Sequence, residues 1–316
     1  MNNRSKILTA LTAVAIWDAF SVISPANAAS RLVGLTDNNS LVLFDPNNAG
    51  KTRSIGVSGI DGTLIDIDFR PRDGMLYGIT DTNNSNNSNR IYTIDLKTGA
   101  ATLKSTLNIP FSGGLLSGVD FNPIPDRLRL VDSNDNNFRV DVDTGLVTVD
   151  TPLDYAAGDV NFEVEANITA AGYTNSIAPS PRTGPTTLYV IDSNLDALVT
   201  QGSVDFDASK PTVGTSPNTG QLFTVGSLGV DFDPTGELEI LTGRNGNNTA
   251  FAISGSTLLN INLANGAAST RGTVGDGNTN IVGLAGQSVP EPATVGSLIG
   301  FGVFAMFGSR RRFAKQ

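Results

Sequence analysis

One turn recurs along this chain, and its spacing constrains the fold more than any other feature. Asn48-Ala49-Gly50, Thr98-Gly99, Thr144-Gly145, Asn218-Thr219-Gly220 and Asn265-Gly266 each separate two strand-like runs. Their glycines fall 49, 46, 75 and 46 residues apart. Glycine reaches the positive φ of a tight hairpin turn without steric cost. Apolar alternation precedes most of these turns, at Val42-Leu43-Phe44, Ile91 to Ile94, Phe138-Arg139-Val140 and Leu258 to Ile261. It resumes after them, as in Ala101-Thr102-Leu103 and Leu146 to Val149. A period of two is the pattern of a half-buried strand.

Two further elements keep the same order. Leu32 to Leu35, Leu76 to Ile79, Leu128 to Val131, Leu188 to Ile191 and Leu238 to Leu241 read as versions of one strand. Four of them run into an aspartate, Asp37, Asp81, Asp132 or Asp192. Ahead of that strand come Ile67-Asp68-Phe69, Val119-Asp120-Phe121, Val230-Asp231-Phe232 and a poorer Tyr173-Thr174-Asn175. Four short strands in about 50 residues make the unit of a propeller blade. The long interval before Gly220 marks an insertion at Val204 to Pro217. The first unit lacks its first strand, and a matching segment, Ile281 to Gly286, stands at the far end, aligned with Leu116 to Phe121. The expected fold is all-β: a five-bladed β-propeller closed by Ile281 to Gly286 joining the first blade. A β-sandwich or an open β-array is the alternative.

Composition agrees and narrows the chemistry. Charged residues are 16 % of the chain and apolar ones 39 %, with 34 glycines, which suits short strands and turns better than helices. There is no Cys and no His. That excludes disulfides, thiolate metal sites, Ser-His-Asp triads and His-ligated zinc or iron. The chain carries -9 overall, and setting aside Arg4, Lys6, Asp18, Glu291, Arg310, Arg311, Arg312 and Lys315 leaves residues 29–289 at -13. Such a domain repels nucleic acid and anionic lipid.

Both ends read as addresses. Arg4 and Lys6, the apolar run Ile7 to Ile16 and Pro25-Ala26-Asn27-Ala28 form a signal peptide over 1–28, cleaved by signal peptidase after Ala28. At the other end, Pro290-Glu291-Pro292 is followed by Ala293 to Ser309 without a charge and then Arg310-Arg311-Arg312. Seventeen helical residues span about 25 Å, enough for a thin hydrocarbon layer, so 293–309 is expected to be a transmembrane helix. The arginines belong on the cytoplasmic side. An ordinary C-terminal anchor is the plain alternative.

The tripeptide, a Gly-rich apolar helix (Gly296, Gly300, Gly302, Gly308) and the basic end together resemble the PEP-CTERM sorting signal. That resemblance implies processing by exosortase, a membrane-embedded enzyme of Gram-negative bacteria. It implies transient anchoring in the inner membrane and a destination at the cell surface or in an exopolysaccharide matrix. The chain therefore divides into 1–28, a propeller at 29–289 and a sorting tail at 290–316. Within the middle part, Gly118 to Pro123, Asp132-Ser133-Asn134 and Asp143-Thr144-Gly145 resemble a propeller-like family, domain-of-unknown-function family 4394, over about residues 31–286. This resemblance implies the fold and carries over no catalytic residue.

The remaining residues offer few sites. Asp68, Asp120 and Asp231 share one position on the innermost strand of three units and are the candidates for a Ca²⁺-holding carboxylate ring. Their equivalents, Thr174 and Ala285, leave that ring incomplete, and such aspartates more often accept backbone N–H bonds. No cofactor is therefore expected. Asp132 to Asn137 lacks the glycine and closing Glu of an EF-hand and reads as turn chemistry, as does Asp81 to Asn89. Glu163, Glu165, Glu237 and Glu239 are the glutamates available for glycosidase chemistry. Glu237 and Glu239 share a strand face expected to meet solvent, and Glu163 and Glu165 lie in a polar connection, so no catalytic pair stands out.

The expected function is that of an exported, non-enzymatic surface or matrix protein associated with extracellular polysaccharide. The alternatives are a secreted Asp/Glu-dependent hydrolase acting on a glycan or phosphate ester, and a partner-binding propeller using the 204–217 insertion.

Overall fold

Apolar alternation becomes strand wherever the repeat places it, and the strands group by unit. The computed structural model describes residues 30–288, apart from 84–86, 178–183, 205, 208–209, 211–213 and 244–245. The expected signal peptide, the sorting tripeptide, helix 293–309 and the arginine triplet lie outside the described residues. Among the described residues no helix is long and apolar enough to cross a membrane.

The first blade holds β1 (Ser30–Thr36), β2 (Ser40–Asp45) and β3 (Asn48–Gly56). The second is β4 (Leu64–Phe69), β5 (Leu76–Thr80), β6 (Arg90–Ile94) and β7 (Ala101–Thr106). The third is β8 (Ser117–Asn122), β9 (Arg127–Asp132), β10 (Asn137–Asp141) and β11 (Leu146–Val149). The fourth takes β12 (Asp154–Tyr155), β13 (Ile168–Tyr173), β14 (Leu188–Asp192), β15 (Ala197–Gln201) and β16 (Gln221–Ser227). The fifth is β17 (Glu237–Thr242), β18 (Asn248–Ser254), β19 (Thr257–Ile261) and β20 (Ala268–Thr273). The last strand, β21 (Ile281–Ser288), returns to the first blade.

Five sheets result, and their innermost strands, β21, β4, β8, β13 and β17, touch one another in that cyclic order. This is the expected five-bladed β-propeller. Closure is antiparallel: Val33 faces Ala285, Gly34 faces Leu284 and Leu32 faces Gly286. One apolar cluster fills each gap between neighbouring blades. An inner strand is therefore buried on both faces along its whole length, as in β4 and β13, whereas the outermost β7 and β20 are largely exposed. The alternation seen in sequence belongs to the middle strands between these extremes.

The repeated turn glycine has a second use at the blade-to-blade seam. Gly145 adopts φ 76°, and a Cβ there would lie 2.0 Å from the Thr106 carbonyl oxygen of the preceding blade. The Gly145 carbonyl accepts the Asn108 N–H at 3.1 Å, as Gly99 does from Ser58 at 3.0 Å, while Gly220 accepts from Asp154 at 3.0 Å within the fourth blade. Deeper in, Gly118 of β8 faces β13 so closely that a Cβ would meet the Ala171 nitrogen at 2.4 Å.

Three readings need correction. The first turn is Pro46-Asn47, and Asn48 to Gly50 open β3; the Ala49 carbonyl still keeps the seam contact, accepting Gly275 N–H at 3.0 Å. In the fifth blade Val230-Asp231-Phe232 is a connection and β17 is the innermost strand. Three strands follow β17 in the blade, so Glu237–Thr242 is the first of four rather than the second. In the fourth blade the inner strand stops at Tyr173. Gly172, paired with Tyr189, takes the position of Asp68 and Asp120, and Thr174 falls outside. That blade also gains a fifth strand, β12, parallel to β16.

Closure by β21 should dominate stability. Ile281, Val282 and Leu284 are buried, and burying each contributes about 1.5–3 kcal/mol. Losing them also strips partners from the β1 backbone. A truncation ending at Gly275 is expected to aggregate or to melt far below residues 29–289, and Leu284→Asp to approach it, by circular dichroism on heating. A normal melt for the truncation would contradict a ring closed in this way.

An acidic inner ring as the candidate functional site

An innermost strand pairs on one edge only, and its other edge presents N–H and C=O groups to the centre of the ring. Five carboxylates reach these groups: Asp66 and Asp68 from β4, Asp120 from β8, and Glu237 and Glu239 from β17. None is more than 7 % exposed. Asp68 Oδ2 accepts the Phe121 N–H at 2.8 Å, from the third blade. Its Oδ1 accepts the N–H of Phe69 at 2.6 Å. Glu237 Oε1 accepts from Ala171 of the fourth blade and from Leu238, both at 2.8 Å. Glu239 Oε2 accepts from Gly286 of the first blade at 2.8 Å. Each bond except those to Phe69 and Leu238 crosses from one blade to the next. Asp66 is held by the Ile67 N–H at 2.7 Å and lies against Gly283, where a Cβ would meet its Oδ1 at 2.6 Å.

The ring is strongly acidic and carries no counter-charge. Among the described residues no Lys or Arg pairs with any of the five. Arg129 stands opposite Asp120 in register, yet its guanidinium turns outward to Asp150, Asn137 and Asn218. Desolvation accordingly pushes Asp66 up to about 7 and Asp68 up to about 8, the latter helped by the neighbouring Asp66 charge. Burial first, then the other carboxylates, hold Asp120, Glu237 and Glu239 well above the usual range. The Asp66 and Glu237 carboxyls face each other at hydrogen-bonding distance, an arrangement that needs a shared proton. Asp66 Oδ2 and Asp120 Oδ1 are buried without any donor.

Of the three aspartates singled out in sequence, Asp68 and Asp120 meet in the ring. Asp231 is exposed on the connection before β17, where its neighbour Phe232 turns inward. Glu239 occupies the corresponding place, since its partner Phe251 matches Tyr77 and Arg129 of the other blades. Glu237 and Glu239 are thus buried rather than solvent-facing. Their face is a blade face at the centre, where alternation no longer separates inside from outside. Asp66, two residues before Asp68, shares the signal that could have revealed it.

Glu163 and Glu165 remain exposed in the connection after β12. Glu165 meets the half-buried Asp135 beside a cavity of about 450 Å³ that Asp154 also lines. Burial and then Glu165 push Asp135 up to about 6. Asp132 does behave as a turn anchor, its Oδ1 accepting from Asn134 at 2.8 Å and Asn136 at 3.1 Å.

Fold and ring together define a five-bladed β-propeller with an acidic centre. The chain belongs to the domain-of-unknown-function family DUF4394, whose profile matches residues 40–285. A PEP-CTERM protein-sorting motif matches residues 288–312, indicating export, transient membrane anchoring and processing by exosortase. No curated protein matches. The chain is similar to a solved Bacteroides caccae protein of unknown function, at 9 % identity and TM-score 0.41, over 80 % of this chain and 85 % of that one. It is also similar to a Bacteroides thetaiotaomicron structural genomics protein of unknown function, at 15 % identity and TM-score 0.39, over 78 % and 59 %.

The raised carboxyls fix a sign for pH dependence. They bind protons more tightly folded than unfolded, so stability falls as pH rises from about 4 to about 8. Asp126 and Asp143, held low by Arg70 and its basic neighbours, act in the opposite sense but only at more acidic pH. In EDTA the melting temperature is expected to drop on the order of 10 °C between pH 4.5 and 8. Asp66→Asn and Glu239→Gln should each flatten that slope, and an unchanged slope in both would mean the ring does not titrate as described.

Proposed function

We propose that this is an exported, non-enzymatic surface or matrix protein, a propeller module that binds or is embedded in extracellular polysaccharide of a Gram-negative bacterium. The observation that carries this reading is the junction at residue 288. The closing strand β21 ends at Ser288, where the sorting motif begins. Cleavage near Pro290 would therefore release the propeller without removing any strand that it needs. The strongly perturbed carboxylates support the non-enzymatic part, because they are enclosed by packed strands rather than set in a cleft.

A hydrolase is the second reading, favoured by the Asp135 and Glu165 pair beside its cavity. Those carboxyls hydrogen-bond to each other, closer than the roughly 5–9.5 Å that glycosidase pairs keep. This geometry favours the first reading. Exposed Val160, Phe162 and Val164 near the same connection would serve a partner-binding propeller instead.

Intact mass of the protein from its native host is expected to lack residues 1–28 and the segment after about Pro290, while Glu291→Gln should block the C-terminal cut and leave export intact. A mature species retaining Arg310 to Arg312 would identify a plain anchor. A glycan array on the exported protein is expected to give binding, and a panel of glycan and phosphate-ester substrates no turnover. Turnover abolished by Asp135→Asn or Asp120→Asn would establish the hydrolase.

A further inference from the structure

We propose that the centre of the ring binds one hard divalent cation, Ca²⁺, through Asp68, Asp120 and Glu239. One carboxylate oxygen from each lies within 4.8 Å of the other two. For three such atoms a point exists within about 2.8 Å of all of them, and small adjustments bring it to the 2.3–2.6 Å of Ca²⁺–oxygen bonds. The three side chains come from the second, third and fifth blades, so a shared ion ties together strands far apart in the chain.

A second, independent observation points to a ligand there. Asp120, a member of the cluster, is 3 % exposed, and its Oδ1 is buried with no donor from backbone or side chain. Arg129, paired with Asp120 in register, is engaged instead by Asn137, Asp150 and Asn218. Uncompensated carboxylates in a buried site cost several kcal/mol each unless a proton or a cation joins them. Asp66 and Glu237 meet this by facing each other; Asp68, Asp120 and Glu239 form a triangle that a single cation fits. Donor chemistry selects the ion, because the chain has no His or Cys and the site offers carboxylate oxygen alone. Mg²⁺ demands a near-ideal octahedron at 2.0–2.1 Å and keeps its waters, whereas Ca²⁺ accepts an irregular all-protein set.

Protons compete for the same oxygens. The titratable groups facing the site are Asp66 and Asp68 on β4, Asp120 on β8, and Glu237 and Glu239 on β17. The phenol of Tyr173 is the one ionisable side chain of β13, and its hydroxyl turns to Arg129, while β21 brings none. Binding must displace protons and so tighten as pH rises.

The test uses the full chain in mild detergent, stripped with EDTA and titrated calorimetrically with CaCl₂ or MgCl₂ at pH 8 and pH 5.5. The expected result is one Ca²⁺ per chain at pH 8, at least tenfold weaker binding at pH 5.5, weaker binding of Mg²⁺, and a rise in melting temperature on Ca²⁺ addition. Asp120→Asn and Glu239→Gln should keep the far-ultraviolet spectrum of the propeller and lose the binding, and Asp231→Asn on the exposed connection should keep it. If the substitutions unfold the chain, equilibrium dialysis of the wild type with metal analysis decides alone, on stoichiometry and pH dependence. Absence of binding at pH 8, or stoichiometric binding that persists in folded Asp120→Asn and Glu239→Gln, would overturn the site.

Discussion

The unpaired inner edge of each blade is the constraint on which the rest of the structure depends. A sheet edge exposes backbone N–H and C=O groups that must find partners. At the rim water supplies them, and the outermost strands are accordingly exposed. At the centre five such edges converge where space is scarce. Acceptors supplied by side chains solve the problem for N–H groups, and Phe121, Ala171 and Gly286 each donate to a carboxylate from another blade. The acids thus couple blades that share no sheet.

Close approach is the other half of the same solution. Carboxylates bridge neighbouring strands only if those strands nearly touch, and Gly118 and Gly283 stand where a Cβ would collide with Ala171 or with Asp66 itself. The ring also has to close, and a propeller closed by one blade's own strands leaves its first and last blades joined by packing alone. Lending β21 to the first blade converts that seam into a ladder of hydrogen bonds with β1. The same strand carries Gly286, so closing the ring also completes the acidic centre.

Much of this was legible in the residues. The turn glycines at 99, 145, 220 and 266 combine a positive φ with a neighbouring backbone oxygen 2.0–2.3 Å from where a Cβ would lie, so blade number followed from their spacing, and closure from the first strand displaced to the far end. The central site was harder to see. Ile-Asp-Phe and Val-Asp-Phe mark the inner strands of the second and third blades because an aspartate amid apolar residues is conspicuous. In the fifth blade the same letters recur at Val230-Asp231-Phe232 one element too early, and Phe232, not Asp231, enters the core. Glu237 and Glu239 alternate with Leu238 and Ile240 as an exposed strand would. Sequence alternation cannot separate solvent from a polar centre, since both faces of an inner strand are buried.

The choice of carboxylate over amide bears on what the ring is for. Backbone N–H groups need only acceptors, and Asn or Gln would supply them without charge, adding NH₂ donors that the open C=O groups of the same edges would welcome. Carboxylates are acceptors only and resist burial. Five of them in one buried space exceed what the edge N–H groups require, as Asp120 Oδ1 without a donor attests. A structural role accounts for Asp68, Glu237 and Glu239 as acceptors, while Asp120, which takes a backbone bond from Tyr173, still leaves Oδ1 without a donor and its burial opposes folding as a charge. A bound cation reverses that balance, turning the costliest residues of the fold into the ones that clamp its blades together.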